Sequence, residues 1–196
     1  MATSERFQVL RAGERPATAW LNGGGVTREV AGFPAGTGLD AFDWRVSLAD
    51  VATAGPFSPF PGIDRVITLV EGAGMTLTVD GAEQLVDVPF RPFAFSGDAT
   101  TDCRLSAGPV VDFNVMTRRG RVAATVDLVA AATAAAPATT LDVPDGSTVL
   151  LVCLLGTARL NGVGLARYDA ALLDGPGGYE LHPDGTTAVV TFRSAG

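Results

Sequence analysis

Three consecutive glycines, Gly23-Gly24-Gly25, run straight into a segment of period two, and this junction constrains the fold more than any other feature. A glycine triplet loses more conformational entropy on folding than any other tripeptide, so it sits where the backbone takes φ > 0 or another group comes close. After it, Val26, Arg28 and Val30 alternate with Thr27, Glu29 and Ala31, the pattern of a strand that carries Thr27 and Glu29 on one face. That period disagrees with the dinucleotide fingerprint, which needs a helix after its glycines. A Walker A loop fails as well, because the chain has no lysine. Two readings remain: a wide hairpin turn, or a polar binding loop in which Asn22, freed backbone N–H groups, Thr27 and Glu29 converge.

The rest of the chain continues in the same grammar. Period-two or short apolar runs predict strands over 7–11, 26–33, 42–49, 65–72, 75–79, 84–88, 93–95, 104–106 and 110–116. The 42–49 strand is expected to pair with the strand of Thr27 and Glu29. Asp80-Gly81 signals a type I′ hairpin, and the prolines of 55–62 exclude a central strand there. The alanine-rich stretch 123–138 favours helix on propensity, but its β-branched residues favour a strand over 122–129 with a linker after it. Beyond it the order of elements repeats, with a buried strand at 149–155, an Asn161-Gly162 hairpin and a closing strand over 187–192. The fold class expected is all-β, a duplicated unit divided at residues 1–117 and 118–196.

Charge and composition limit the partners. A net charge of −7 without a lysine gives no basic stripe for a phosphate backbone and no attraction to anionic lipid. The apolar run 149–155 is too short to span a bilayer, and the first residues lack the apolar region of a signal peptide. Cys103 and Cys153 lie in separate apolar segments and read as small buried hydrophobes, which fits a cytoplasmic protein.

Several segments together carry a family resemblance. Trp20-Leu21-Asn22-Gly23-Gly24-Gly25-Val26-Thr27-Arg28-Glu29, Phe42-Asp43-Trp44-Arg45-Val46-Ser47, Gly55-Pro56-Phe57-Ser58, Gly62-Ile63-Asp64-Arg65, Phe95-Ser96-Gly97-Asp98 and Asp112-Phe113-Asn114-Val115-Met116 resemble the HutD/Ves family of cupin-like proteins. The resemblance implies two tandem cupin-like barrels of the jelly-roll type. For the HutD branch it also implies binding of an intermediate of histidine utilisation and modulation of that operon, with no established catalytic reaction. Urocanate and formylglutamate are then the first candidate ligands.

The residues themselves bear on that expectation. Metal-dependent cupins gather several histidines and a glutamate. This chain has one histidine, His182, and the hairpin in question reads Glu71-Gly72-Ala73-Gly74-Met75. No metal or other cofactor is therefore expected, and His182 reads as a surface turn residue. Glu29, Asp98 and Asp112 are available for acid–base work, so a metal-free isomerase or hydrolase acting on a small polar acid is the alternative. Arg45 reads either as a rim arginine paired with Glu29 or as a bidentate clamp for a ligand carboxylate. Arg65 either contributes to the same site or caps the barrel mouth. The ligand site expected is Asn22, Gly23, Gly24, Gly25, Thr27, Glu29, Arg45, Ser47 and Arg65, with the anion lying between the glycine loop and the Arg45 strand. The partner is a small carboxylate, with neither nucleic acid nor membrane, and a homodimer is compatible with this reading.

Overall fold

Alternating side chains and closely spaced turns leave the chain almost no way to form helix, and the computed structural model is built from strands. It describes residues 7–39, 41–131, 138–173 and 175–195. In chain order the strands begin with β1 (Phe7–Leu10), β2 (Thr18–Ala19), β3 (Gly25–Phe33), β4 (Trp44–Val51), β5 (Gly55–Pro56) and β6 (Ile63–Glu71). Then come β7 (Met75–Val79), β8 (Ala82–Val86), β9 (Pro92–Ser96), β10 (Thr101–Leu105), β11 (Val110–Arg118) and β12 (Val122–Ala130). Last are β13 (Thr139–Val143), β14 (Ser147–Leu160), β15 (Val163–Leu165), β16 (Ala170–Leu173) and β17 (Gly177–Ser194). The helical content of the described residues is one 3₁₀ turn, Ala12–Glu14. Among the described residues no helix is long and apolar enough to cross a membrane. The strand predicted over 122–129 is present as β12, while residues 132–137 of the predicted linker lie outside the described residues.

The chain divides into two compact units: one of residues 15–122 with 195–196, the other joining residues 1–14 to 123–194. In the first unit, a six-stranded sheet of order β2-β3-β4-β11-β6-β9 accompanies a four-stranded sheet of order β5-β10-β7-β8. The predicted pairing of β3 with β4 is observed, with Thr27 opposite Ala49 and Glu29 opposite Ser47. Val51, Ile67, Leu69, Val110 and Phe95 of the larger sheet share a core with Met75, Leu77, Val86 and Cys103 of the smaller one.

The second unit holds one seven-stranded sheet. Its first strand, β1, pairs with β16, Phe7 opposite Leu173. The expected boundary groups β1 with the N-terminal half, yet its partner lies near the other end of the chain. The two long strands β14 and β17 lie side by side with a register shift between Cys153 and Leu155. Both ends of β14, from Val149 and Leu151 to Ala158 and Leu160, bury side chains in the same core. Gly156 and Gly185 face each other beside the shift at φ 69° and 139°. A Cβ on Gly156 would collide with the Asp184 carbonyl, and one on Gly185 with the Leu155 carbonyl, so neither position takes a side chain without moving backbone.

Both dipeptide hairpins form as predicted. Asp80 and Gly81 have φ of 47° and 85°, Asn161 and Gly162 of 47° and 84°. These are the two positive values a type I′ turn requires. Two tandem barrels are expected from the family resemblance. Among the described residues the strand pairings form three antiparallel sheets, and no pairing closes a sheet on itself.

Candidate functional site

Register decides which side chains can meet. The face of the larger sheet that carries Val51, Val110, Ile67 and Leu69 looks onto the smaller sheet, and side chains directly opposite one another on neighbouring strands share a face. Reading across that face gives three rows. The first runs Thr27, Ala49, Asp112, Leu69; the second Glu29, Ser47, Asn114, Ile67, Phe93; the third Gly32, Arg45, Met116, Arg65, Phe95. Five of the predicted site residues (Thr27, Glu29, Arg45, Ser47 and Arg65) therefore lie on one interior face, joined by Asp112 and Asn114. A bulge at Val30, where the register shifts between Glu29 and Ala31, keeps Glu29 and Gly32 on this same side.

Arg65 is the centre of the arrangement. It is 6% exposed, and its guanidinium carbon lies 5.4, 5.5 and 4.9 Å from the ring centroids of Phe57, Phe60 and Phe95. Ring faces attract a cation, more strongly when water is excluded. They are not hydrogen-bond acceptors of the usual strength, and Arg65 Nε is buried without a partner. Burial lowers the Arg65 pKa to about 10, with Asp112 opposing that shift and Arg45 adding to it, so the group remains a cation at neutral pH.

Phe60 is held in place by its turn. Its N–H donates to Gly97 O at 2.8 Å, while Gly97 N–H donates to Ile63 O at 2.7 Å. Asp98 accepts from Gly62 N–H at 2.9 Å and from Arg119 at 2.8 Å. The Gly62 hydrogen bond, followed by Arg119 and Ser96, lowers the Asp98 pKa to about 2. Asp98 thus anchors a turn and does not join Glu29 or Asp112. A Trp20 ring continues the aromatic wall, edge-on to Phe57 at 6.2 Å, and its Nε1–H donates to Thr27 Oγ1 at 2.8 Å.

Asp112 and Asn114 share the sheet face of this cation, at 1% and 6% exposure. Asp112 Oδ1 and Asn114 Oδ1 are buried and have no partner. Burial raises the Asp112 pKa to about 7 against the pull of Arg65. The Cys103 thiol in the facing strand is raised to about 12, chiefly by burial and then by the Asp112 and Asp102 charges, which disfavours the thiolate. Cys153 is also pushed up by burial, to about 11.

Arg45 is committed elsewhere: its Nε donates to Glu29 Oε2 at 2.7 Å. This is the rim pairing named among the sequence alternatives. The glycine loop also behaves differently from the anion nest expected of it. Gly23 N–H donates to Trp20 O at 3.0 Å and Gly24 N–H to Asn22 Oδ1 at 2.9 Å, so those amides and the Asn22 carbonyl oxygen are occupied. Gly25 is required sterically, because a Cβ there would stand 2.5 Å from the Asp50 carbonyl oxygen and 3.2 Å from the Trp20 ring. The loop adjoins the Val51 end of β4, since Gly25 pairs with Val51 while Gly32 pairs with Arg45. Val51 lies six residue steps along β4 from Arg45, about 20 Å. One small ligand cannot lie between the loop and Arg45 as the sequence reading places it.

Asp112 and Asn114 escaped selection as ligand residues because their neighbours Val110, Val111, Phe113 and Val115 read as plain core. The available signal was two polar residues spaced by two inside an otherwise apolar strand. Among the described residues no three His, Cys, Asp or Glu side chains gather as ligands, the inner face offers carboxylates without imidazoles, and His182 contacts Glu180.

Comparison with known proteins bears on the family of the chain. A curated relative named as an uncharacterised 21.2 kDa protein in the hutC 3′ region of Pseudomonas putida is 45% identical over 111 residues, 57% of this chain and 58% of that protein. Protein Ves of Citrobacter koseri is 44% identical over 112 residues, again 57% and 58%. The chain thus spans little more than half the length of the curated relatives it matches. The solved structure of HutD from Pseudomonas fluorescens is 34% identical with a TM-score of 0.84, covering 97% of this chain and 100% of that one. A cupin 2 conserved barrel domain protein from Leptotrichia buccalis, 7% identical with a TM-score of 0.55 over 87% and 88% of the two chains, shares the fold alone. The HutD family model matches residues 12–191, and the chain belongs to the HutD family.

Proposed function

We propose that the unit of residues 15–122 binds a small carboxylate on its inner sheet face, with Arg65 as the anchor, and that binding serves to modulate histidine utilisation. The observation that carries this reading is a buried guanidinium held by three ring faces whose Nε has no acceptor. A buried cation without a counter-charge is costly. Arg45 and Glu29 neutralise each other, and Asp112 balances Arg65 only to the extent that it is ionised. A ligand carboxylate would supply both the charge and the acceptor. Arg45, Glu29, Ser47 and Thr27 then form the polar surroundings, and the Asn22–Gly25 loop holds Trp20 in position without touching the anion.

Family membership and the P. putida relative's name support histidine utilisation as the context, with urocanate and formylglutamate as first ligands. Within this reading the two units are cupin-like barrels, the C-terminal one degenerate. The protein works in the cytoplasm without a tightly held metal, nucleic acid or membrane, as a single chain or a homodimer. Calorimetric titration with both acids and their neutral amides tests it. The acids should bind more tightly than the amides, and Arg65→Met should weaken acid binding by roughly tenfold to a hundredfold, the worth of a charged hydrogen bond. Equal affinity for acids and amides, or unchanged binding in a folded Arg65→Met protein, rejects the anchor.

One observation favours the second reading, a metal-free isomerase or hydrolase: a buried carboxyl group poised near pH 7 suits general acid–base work. Turnover of either acid by the wild type, lost in Asp112→Asn, would establish it; saturable binding without product would reject it.

A further inference from the structure

The unpartnered atoms around Arg65 are of two opposite kinds, and their arrangement specifies more than an anion. We propose that Asp112 and Asn114 form an acceptor subsite beside Arg65, so that the site selects carboxylates that also carry an N–H or O–H donor and discriminates against carboxylates that lack one. This rests on the proposed carboxylate site and deepens it.

Asp112 and Asn114 lie two residues apart on β11, on the face that carries Arg65. Asn114 stands opposite Ile67 and Arg65 opposite Met116, so Asn114 and Arg65 are diagonal neighbours, about 7–8 Å apart at the backbone. What Asp112 and Asn114 then offer is their Oδ1 atoms, two buried oxygens with no partner. What Arg65 offers is a buried N–H with no partner. The complement of this set is one molecule with an acceptor for Arg65 and a donor for the oxygen pair, separated by a few bonds. A plain carboxylate would satisfy Arg65 and leave both oxygens desolvated and unpaired, which costs affinity.

Matched probes test this in the wild-type chain. Urocanate carries a ring N–H, and furylacrylate has the same outline with a furan oxygen in its place. Formylglutamate carries an amide N–H, and glutarate lacks it. By calorimetry the N–H member of each pair should bind at least about tenfold tighter, the range for leaving a buried acceptor unpaired. In Asp112→Leu and Asn114→Leu that preference should collapse, while the preference for acid over neutral amide, which belongs to Arg65, persists. Binding of both members within about twofold in the wild type overturns the subsite alone and means that solvent serves the two oxygens. Folded variants that keep the full preference overturn its assignment to Asp112 and Asn114. If no acid binds, the carboxylate reading falls and the subsite falls with it. Should either variant not fold, the wild-type comparison decides the question unaided.

Discussion

Two arginines on one sheet face show how little a residue type settles by itself. Arg45 and Arg65 face opposite sides of Met116 on the central strand, yet Arg45 is paired with Glu29 while Arg65 lies among three ring faces. The sequence motif around Arg45 drew attention to the first, and burial among phenylalanines makes the second the better anchor. Asp112 gives this scale its clearest prediction. An exposed aspartate titrates near 3.9, and burial raises Asp112 to about 7. Below pH ~4 the group is protonated in folded and unfolded chains alike and does not affect stability. Between pH ~4 and ~7 the unfolded chain releases the proton while the native one retains it, so the native state is increasingly disfavoured. Above pH ~7 both are ionised and the penalty is constant, on the order of 4 kcal/mol. Asp112→Asn removes this titration, so its stability advantage over the wild type should grow as pH rises from 5 to 8. Urea unfolding midpoints at those two pH values measure it, and an advantage that is constant or shrinks would contradict the buried position of the carboxyl group.

Elements were far more legible than their pairings. Alternation and turn dipeptides located β3, β4, β7 and both type I′ hairpins from the sequence, because period two and positive φ are local properties. The partner of β1 was not legible, since it lies more than 150 residues along the chain and the strand's own pattern fits any half-buried edge. Nor were the bulges at Val30 and beside Cys153, which shift a strand by one residue and so change which side chains face inward. The separation of the glycine loop from Arg45 is a consequence of register, and no motif spelled it out. The long pair β14–β17 depends on its facing glycines. Gly185→Ala should lower the melting temperature steeply or abolish folding, because a Cβ there meets the Leu155 carbonyl and backbone must move. Gly164→Ala, in β15 with open space around its Cβ, should be neutral or slightly stabilising. Equal melting temperatures for the two variants would show that the glycine pair does not set the path of these strands.

Across the whole molecule, charge and site work against each other. The chain carries a net charge of −7, which repels an anion at long range, so recognition of a carboxylate falls to a local cation that water and counter-ions do not screen. Arg65 meets that requirement inside the unit of residues 15–122, between two sheets whose shared core excludes solvent. Family membership and the all-β class were legible together, since the motifs that resemble HutD proteins include the strands that carry Thr27, Glu29, Arg45, Asp112 and Asn114. The identity of the anchor was not, because an arginine after a Pro-Gly turn gives no sign of the three rings that surround it. The most direct test follows the Arg65 Nε–H resonance by heteronuclear NMR while formylglutamate is added. A carboxylate accepting from Nε should shift this proton downfield and slow its exchange with solvent, saturating at the same concentration as calorimetric binding. If calorimetry reports binding while the Arg65 Nε–H resonance stays unmoved at saturation, the ligand lies elsewhere and the central claim is wrong.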